Sequence, residues 1–285
     1  MTDLSDLMKQ RYGTARHGMP VDGNAVLASL MTLIEVGGLI AIIAGGVIFD
    51  WDRLIQLDRL VPPEWSMAVL TPVLQASLLA FFAFIGFEGI SNISEETVNP
   101  RRTLPLAMVL TLAISAVVYA LVVGVAVLTV GPEDLVSQPA PLSHVFQETT
   151  GLPASFITPV AVVATLNGII VQIIMISRLV YGLSSRGQLP AFLGRIHPVT
   201  KTPVTAIAAT VLLVLVLALA FPVVALAEWT SRLILLVFAA VCAALLRLKL
   251  QGRAAPPGCF QVSSVVPAAG IGLCSLLLVA DLIWG

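Results

Sequence analysis

Long apolar runs alternate with short polar segments along almost the whole chain. A helix needs about 20 apolar residues to cross the hydrocarbon core of a bilayer. Seven stretches meet or nearly meet this length, which predicts a single transmembrane helical domain over 24–285, preceded by a polar segment at 1–23. The predicted spans are 24–49, 66–93, 104–130, 154–178, 203–221, 223–247 and 262–284.

The fifth and sixth of these spans meet at Phe221-Pro222. Proline has no backbone N–H to donate within a helix and favours a break, so we predict two helices here rather than one. The segment 131–153, between the third and fourth spans, carries prolines and the sequence QETTG. We predict an irregular, partly ordered loop for it.

Composition agrees with a membrane protein of the all-α class. The 285 residues are 58% hydrophobic and 11% charged, whereas a soluble domain carries about 25% charged residues. The three cysteines have no paired spacing, so neither a disulfide framework nor a metal site is indicated. We find no catalytic motif, no organic cofactor is implied, and the basic residues have no interleaved aromatics that would suggest nucleic-acid binding.

The basic residues predict the orientation, because cytoplasmic segments are enriched in lysine and arginine. With a cytoplasmic N-terminus, two of them, Arg53 and Arg59, fall in outer loops. Arg232 lies within a span. The remaining twelve fall on the inner side, which places the protein in the cell membrane with its N-terminus in the cytoplasm; they are Lys9, Arg11, Arg16, Arg101, Arg102, Arg178, Arg186, Arg195, Lys201, Arg247, Lys249 and Arg253.

A glutamate flanked by two glycines interrupts the second span in FFAFIGFEGISN, as Gly86, Glu88 and Gly89. Glycine weakens helices, and a carboxylate in hydrocarbon is costly. One interpretation is a helix unwound at Gly86, whose backbone groups contact a bound solute. The other places Glu88 near the end of the span, hydrogen-bonded to a neighbouring helix, with the glycines serving close packing.

Other polar groups lie deep in apolar spans. Glu35 is near the middle of the first span, where it can relay a proton or contact a coupling cation, or can be a neutral acid hydrogen-bonded within the bundle. Thr165, Asn167 and Gln172 interrupt the fourth span, and groups of this type join helices or line a pathway.

Glu228 and Arg232 lie four residues apart on one helix face. We interpret them as an interfacial ion pair with Trp229 as a membrane-surface anchor, in preference to a gate.

Two stretches resemble the amino acid–polyamine–organocation permeases. FFAFIGFEGISNISEETVNPRRTLPLA is similar to the family's sixth helix and following loop, with the acids Glu95 and Glu96 and the run Asn99-Pro100-Arg101-Arg102. SRLVYGLSSRGQLPAFLGRIHPVTKTPVTAI is similar to the end of its eighth helix and the loop beyond. TLIEVGGLIAIIAGG bears a weaker resemblance to the fifth helix.

The resemblance implies that the spans match helices five to eleven of the LeuT-like inverted-repeat transporter fold. It further implies a secondary transporter that moves amino acids or related amines by alternating access. Substrate would contact Phe84, Ile85, Gly86 and Phe87 at the sixth-helix break, with Asn167 lining the pathway. Glu35 falls at or near a position where some members place a cation, and Glu88 acts as a helper; proton coupling through these carboxyls is a hypothesis.

Helices one to four of the family have no counterpart among these spans. A split or truncated chain that pairs with a separate fragment, a decayed remnant that does not transport, and an assembly of two copies are the alternatives. The third is disfavoured because inverted repeats would need antiparallel insertion, which the basic residues oppose. The rival function is a non-transporting remnant or a partner-dependent half-transporter.

Overall fold

The computed structural model describes residues 23–61, 64, 66–93, 97, 99–198, 202–252 and 259–284. Regular structure in these ranges is helical, without strands. The polar segment before residue 23 and the acids Glu95 and Glu96 lie outside them. The α-helices are α1 (Gly23–Phe49), α2 (Trp51–Leu54), α3 (Met67–Phe82), α4 (Pro100–Thr129), α5 (Pro132–Ser137), α6 (Pro141–Thr150), α7 (Thr158–Ser185), α8 (Val204–Ala220), α9 (Val223–Leu250) and α10 (Val265–Trp284).

Short 3₁₀ turns complete the described structure. They are Leu57–Leu60, Phe87–Ile93, Ala154–Phe156 and Ala191–Gly194.

The predicted spans coincide with apolar helices. Within the described ranges, six helical segments are long and apolar enough to cross a bilayer. The seventh predicted span, 203–221, lies on α8, which has 17 residues. The break at Phe221-Pro222 is confirmed, because α8 ends at Ala220, both junction residues are extended, and α9 begins at Val223.

One end of the bundle is held by a core cluster, named here the first cluster. It joins α1, α4, α6 and α7, and its members are Ile42, Val125, Ala126, Val145, Phe146 and Ile157.

Glycines in α1 allow the helices of this cluster to approach closely. A Cβ at Gly46 would lie 2.6 Å from Val125 Cγ1, and one at Gly38 would lie 2.6 Å from Val160 Cγ1. Real Cβ atoms do not come this close, so both positions depend on the absence of a side chain.

The prediction of an irregular loop at 131–153 is wrong. The segment forms α5 and α6, and each begins with a proline at its first helical position, where the missing N–H costs nothing. On α6, Val145, Phe146 and Thr149 form one face that is buried against α1 and α4. Two of the prolines that predict a loop therefore begin helices that close this end of the bundle.

A second cluster holds the other side of the molecule. Leu78 of α3, Leu235 of α9 and Cys274 of α10 form its buried centre. The 3₁₀ turn Phe87–Ile93, which continues the chain beyond α3, packs instead against α4. The predicted second span therefore contacts two groups of helices, with the helix break between the two contacts.

Candidate functional site

The second span breaks where its glycines predict. Helix α3 ends at Phe82, residues 83–86 form turns, and the chain continues as the 3₁₀ turn Phe87–Ile93. The amides of Ala83, Phe84 and Ile85 donate to carbonyls three residues earlier, so 3₁₀ hydrogen bonds replace the α-helical bonds to the fourth preceding residue here. The helix break is confirmed, whereas contact of a solute with it stays a prediction.

Gly86 sets the geometry of the break. Its φ is +124°, a backbone region that L side chains rarely adopt. A Cβ at this position would meet no atom within 4 Å. Glycine is therefore required here because of its backbone conformation, and not because a side chain would clash with a neighbour.

The Glu88 carboxylate closes the break from within. The Gly86 N–H donates to Glu88 Oε2 at 2.8 Å, and the Gly89 N–H donates to the Gly86 carbonyl at 3.0 Å. Charged acceptors form the stronger class of hydrogen bonds, so Glu88 stabilises the amide that the broken helix exposes. Glu88 binds the backbone of its own segment, and its role as a helper to solute binding or coupling stays a prediction.

Gly89 has the packing role of the second interpretation. A Cβ there would lie 2.5 Å from Met175 Cε of α7. The two glycines thus act differently, one through conformation and the other through contact.

Aromatic side chains from two neighbouring helices surround the break. Tyr119 of α4 stacks edge-on against Phe84 with 5.3 Å between ring centroids, and its hydroxyl donates to the Ala83 carbonyl at 3.2 Å. Phe238 of α9 packs against Phe87 at 5.8 Å and against Phe81 at 6.1 Å.

Tyr119 and Phe238 are not among the site residues predicted from the sequence. Both lie in apolar spans far along the chain from the break, where an aromatic residue is ordinary and carries no signal of its partner. Their contacts fix the orientations of Phe84 and Phe87, two of the predicted solute contacts.

Glu35 and Asn167, two residues singled out from the sequence, are brought together. Asn167 Nδ2 of α7 donates to Glu35 Oε1 of α1 at 2.7 Å, and both side chains are half-buried. An amide N–H can donate to a neutral or an ionised carboxyl. Thr165 instead donates to the Ala161 carbonyl of its own helix.

The Glu35–Asn167 pair is separate from the helix break along α7. Asn167 lies eight residues before Met175, which faces Gly89, so about 12 Å of helix divides the two contacts. The candidate site therefore has two parts, the break itself and a polar interhelical pair, with α7 touching both.

The predicted pair of Glu228 and Arg232 is present, but a stronger partner was missed. Arg232 Nη2 lies 3.6 Å from Glu228 Oε2. Asp281 of α10 accepts two hydrogen bonds from the same guanidinium, at 2.7 Å from Nε and 2.9 Å from Nη2. Arg232 also lies over the Trp229 ring, 5.1 Å from its centroid.

Since 49 residues separate Arg232 from Asp281, spacing along the chain gives no indication of this contact. The two hydrogen bonds from Arg232 to Asp281 join α9 to α10. The predicted pair of Glu228 and Arg232 lies on α9 alone. In the ranges that the structure covers, no group of three His, Cys, Asp or Glu residues is placed to hold a metal ion.

Comparisons with known proteins agree on one family. A family model described as "Amino acid permease" matches residues 13–284. "Cationic amino acid transporter 4, vacuolar" of Arabidopsis thaliana is 29% identical over 239 residues, which is 84% of this chain and 37% of that protein. "Cationic amino acid transporter 4" of Homo sapiens is 31% identical over 186 residues, covering 65% of this chain and 29% of that protein.

A bacterial relative is named for a different class of amino acid. The branched-chain amino acid permease of Bacillus subtilis is 30% identical over 135 residues, covering 47% of this chain and 29% of that protein. This chain spans about a third of the length of the curated relatives described here.

Proposed function

Because this chain belongs to the amino acid permease family, within the amino acid–polyamine–organocation superfamily, we propose that it forms the solute-binding part of a secondary transporter for amino acids or related amines. It is a multi-pass membrane protein, and the relatives named above are transporters, a class that is not enzymatic. The observation that carries the proposal is the helix break held at Gly86 between aromatic side chains.

The break offers a solute the groups that a regular helix conceals. The amides of residues 83–86 already donate within the segment. A carbonyl oxygen can accept two hydrogen bonds, so the carbonyls of these residues can contact an amine where the bilayer provides no water. Phe84 and Phe87 would cover the solute, with Ile85 and Gly86 supplying backbone contacts. Tyr119 and Phe238 support this arrangement from behind by fixing the two phenylalanine rings.

The same break is a hinge about which the protein would alternate between its two access states. Helix α3 packs with α9 and α10, whereas the turn beyond the break packs with α4 and contacts α7. Rotation of one packing group against the other would change the backbone angles at residues 83–86 and the packing of Phe87 against Phe238 of α9. Such hinges are a few residues at the ends of helices that absorb the change.

We propose that further helices complete the site, since the matched residues cover 37% and 29% of the length of the two cationic amino acid transporters. The experiment compares three proteoliposome preparations: this chain, a fragment carrying the first four helices of a full-length relative, and both together. The solutes are radiolabelled lysine and leucine, because the relatives are named as transporters of cationic and of branched-chain amino acids. We expect saturable uptake of at least one solute in the combined preparation only.

Uptake by the chain alone would disprove the need for further helices. A correctly folded combined preparation that takes up neither solute, nor any other amino acid in a panel, would favour the rival function of a non-transporting remnant. The partner-dependent half-transporter is the case in which the combined preparation alone is active.

Proton coupling through Glu35 gives a separate prediction, for the Glu35→Gln variant. Gln keeps the acceptor oxygen for Asn167 but cannot take up a proton, so we expect uptake driven by an imposed pH gradient to fall at least about tenfold. Exchange of labelled for unlabelled solute without a gradient should persist. The measurement is initial uptake with and without the gradient in the combined preparation.

Asn167→Ala is the control for this variant, because it removes the hydrogen bond at 2.7 Å and keeps the carboxyl. It should weaken the α1–α7 contact while leaving the response to the gradient in place. Full gradient-driven uptake by Glu35→Gln would rule out the coupling role and leave Glu35 as a structural partner of Asn167.

We also place the protein in the cell membrane with its N-terminus in the cytoplasm. Arg101 and Arg102 at the start of α4 and Arg186 and Arg195 after α7 support this orientation by the distribution of positive charge. A single cysteine at position 186 in a cysteine-free variant should react with a membrane-impermeant reagent only after the cells are opened.

A further inference from the structure

We propose that a cleft at the beginning of α4 binds one anionic phospholipid, as a site distinct from the solute site of the proposed transporter. The cleft has a volume of about 480 Å³. One of its ends is cationic and the other apolar. Its lining residues are Arg101, Arg102, Pro105, Leu106, Val109, Cys259 and Phe260.

The cationic end consists of two consecutive arginines in the first turn of α4. Both Arg101 and Arg102 are exposed. A guanidinium presents a planar set of donors that matches a phosphate group, and two adjacent guanidiniums suit the singly charged phosphodiester of a lipid headgroup. Basic pockets between membrane helices are a recognised form of anionic-headgroup site.

The apolar end follows at a distance that suits a lipid. Val109 lies eight residues along α4 from Arg101, which is about 12 Å towards the centre of the span. Leu106 and Val109 are each 56% exposed, and Phe260 on the opposite wall is 64% exposed. The order from phosphate-binding groups to apolar surface along α4 is the order from headgroup to acyl chain in a phospholipid.

The opposite wall is anchored to the bundle. Phe260 belongs to the segment that precedes α10, and the Lys249 ammonium at the end of α9 donates to the Val262 carbonyl of that segment. This contact holds the Phe260 wall close to the C-terminal end of α9. A lipid in the cleft would thereby bridge α4, which supports the helix break, and the α9–α10 pair.

A free phosphate ion would use only half of this surface. It could contact Arg101 and Arg102, but it would leave Leu106, Val109 and Phe260 uncovered. The combination of charge and apolar wall therefore favours an acyl-chain-bearing phosphate over the inorganic ion, and the experiment separates the two.

The test uses the full chain purified in a neutral detergent. Its melting temperature is measured with added phosphatidylglycerol, phosphatidylcholine or inorganic phosphate, and native mass spectrometry counts bound lipids. We expect phosphatidylglycerol alone to raise the melting temperature and to give one retained lipid. Because each basic residue contributes a factor of about 5, the Arg101→Gln, Arg102→Gln double variant should bind it about 30-fold more weakly.

The matched control is the Arg186→Gln, Arg195→Gln double variant, which loses the same charge from segments after α7 outside the cleft. It should keep the response of the unmodified chain. Val109→Trp tests the apolar half, because the indole would fill the cleft and displace the acyl chain while both arginines stay in place. It should reduce phosphatidylglycerol retention about as strongly as loss of the arginines.

Equal losses in the two arginine double variants would mean general attraction to negative charge and would overturn the proposal. If inorganic phosphate stabilised the chain to the same extent, the ligand would be the phosphate ion instead of a lipid. Full retention of lipid by Val109→Trp would likewise show that the apolar half of the cleft does not bind an acyl chain. These outcomes concern lipid binding by the chain alone, so they are distinguishable from failure of the uptake experiment.

Discussion

Alanine at position 86 is expected to reduce solute uptake by at least about tenfold and to lower the melting temperature of the chain. Gly86 has a φ of +124°, and holding an L side chain in such a region costs about 1–3 kcal/mol. The segment can avoid this cost only by changing its backbone angles. That change would remove the Gly86 N–H from Glu88 Oε2 and reorient Phe84 and Phe87.

The measurement is initial uptake in the combined proteoliposome preparation, with melting temperature recorded on the same protein. Gly168→Ala is the matched control, because Gly168 lies inside α7 and a Cβ there also meets no atom within 4 Å. It should be neutral or should stabilise the helix by up to about 1 kcal/mol. Normal uptake by Gly86→Ala would show that the conformation of the break is dispensable.

We expect Asp281→Asn to lower the stability of the protein more than other substitutions that keep the size of the side chain. The Asp281 carboxylate is 15% exposed and receives two hydrogen bonds from Arg232, which is 26% exposed. Asn keeps the size and one acceptor oxygen but removes the charge. Hydrogen bonds to charged groups contribute about 1.5–3 kcal/mol, and the guanidinium would keep only the more exposed Glu228 as its counter-ion.

Glu228→Gln is the control within the same network. Its carboxylate is 40% exposed and lies 3.6 Å from Arg232, and an exposed pair contributes about 0.2–1 kcal/mol. The melting temperature of Asp281→Asn should therefore fall clearly below that of Glu228→Gln. Exchanging the two charges, as Arg232→Asp with Asp281→Arg, should recover part of the loss; equal melting temperatures for the two single variants would contradict a dominant role for Asp281.

Much of the helix arrangement follows from the chain because apolar length and proline placement act locally. The spans, the junction at Phe221-Pro222 and the break near Gly86 all depend on residues adjacent in sequence. The error at 131–153 has a local cause as well. Prolines such as Pro132 and Pro141 predict a loop when only chain breaking is considered, but proline is also favoured at the first position of a helix.

The contacts that complete the candidate site depend on tertiary packing. The pairing of Glu35 with Asn167 spans 132 residues, so each could be singled out as polar but the bond between them could not. Asp281, Tyr119 and Phe238 carry no local signal, since one acid near a helix end or one aromatic in an apolar span is unremarkable without its neighbour. Roles of these residues in binding or coupling stay predictions.

Helix α8 has a consequence for the bilayer itself. Its 17 residues rise about 26 Å, whereas the hydrocarbon core is about 30 Å thick. A short apolar helix is accommodated by local thinning of the membrane, at a cost that grows with each ångström of mismatch. We therefore expect the bilayer beside α8 to be locally thinner, so that the thickness of the surrounding membrane affects the stability of the protein.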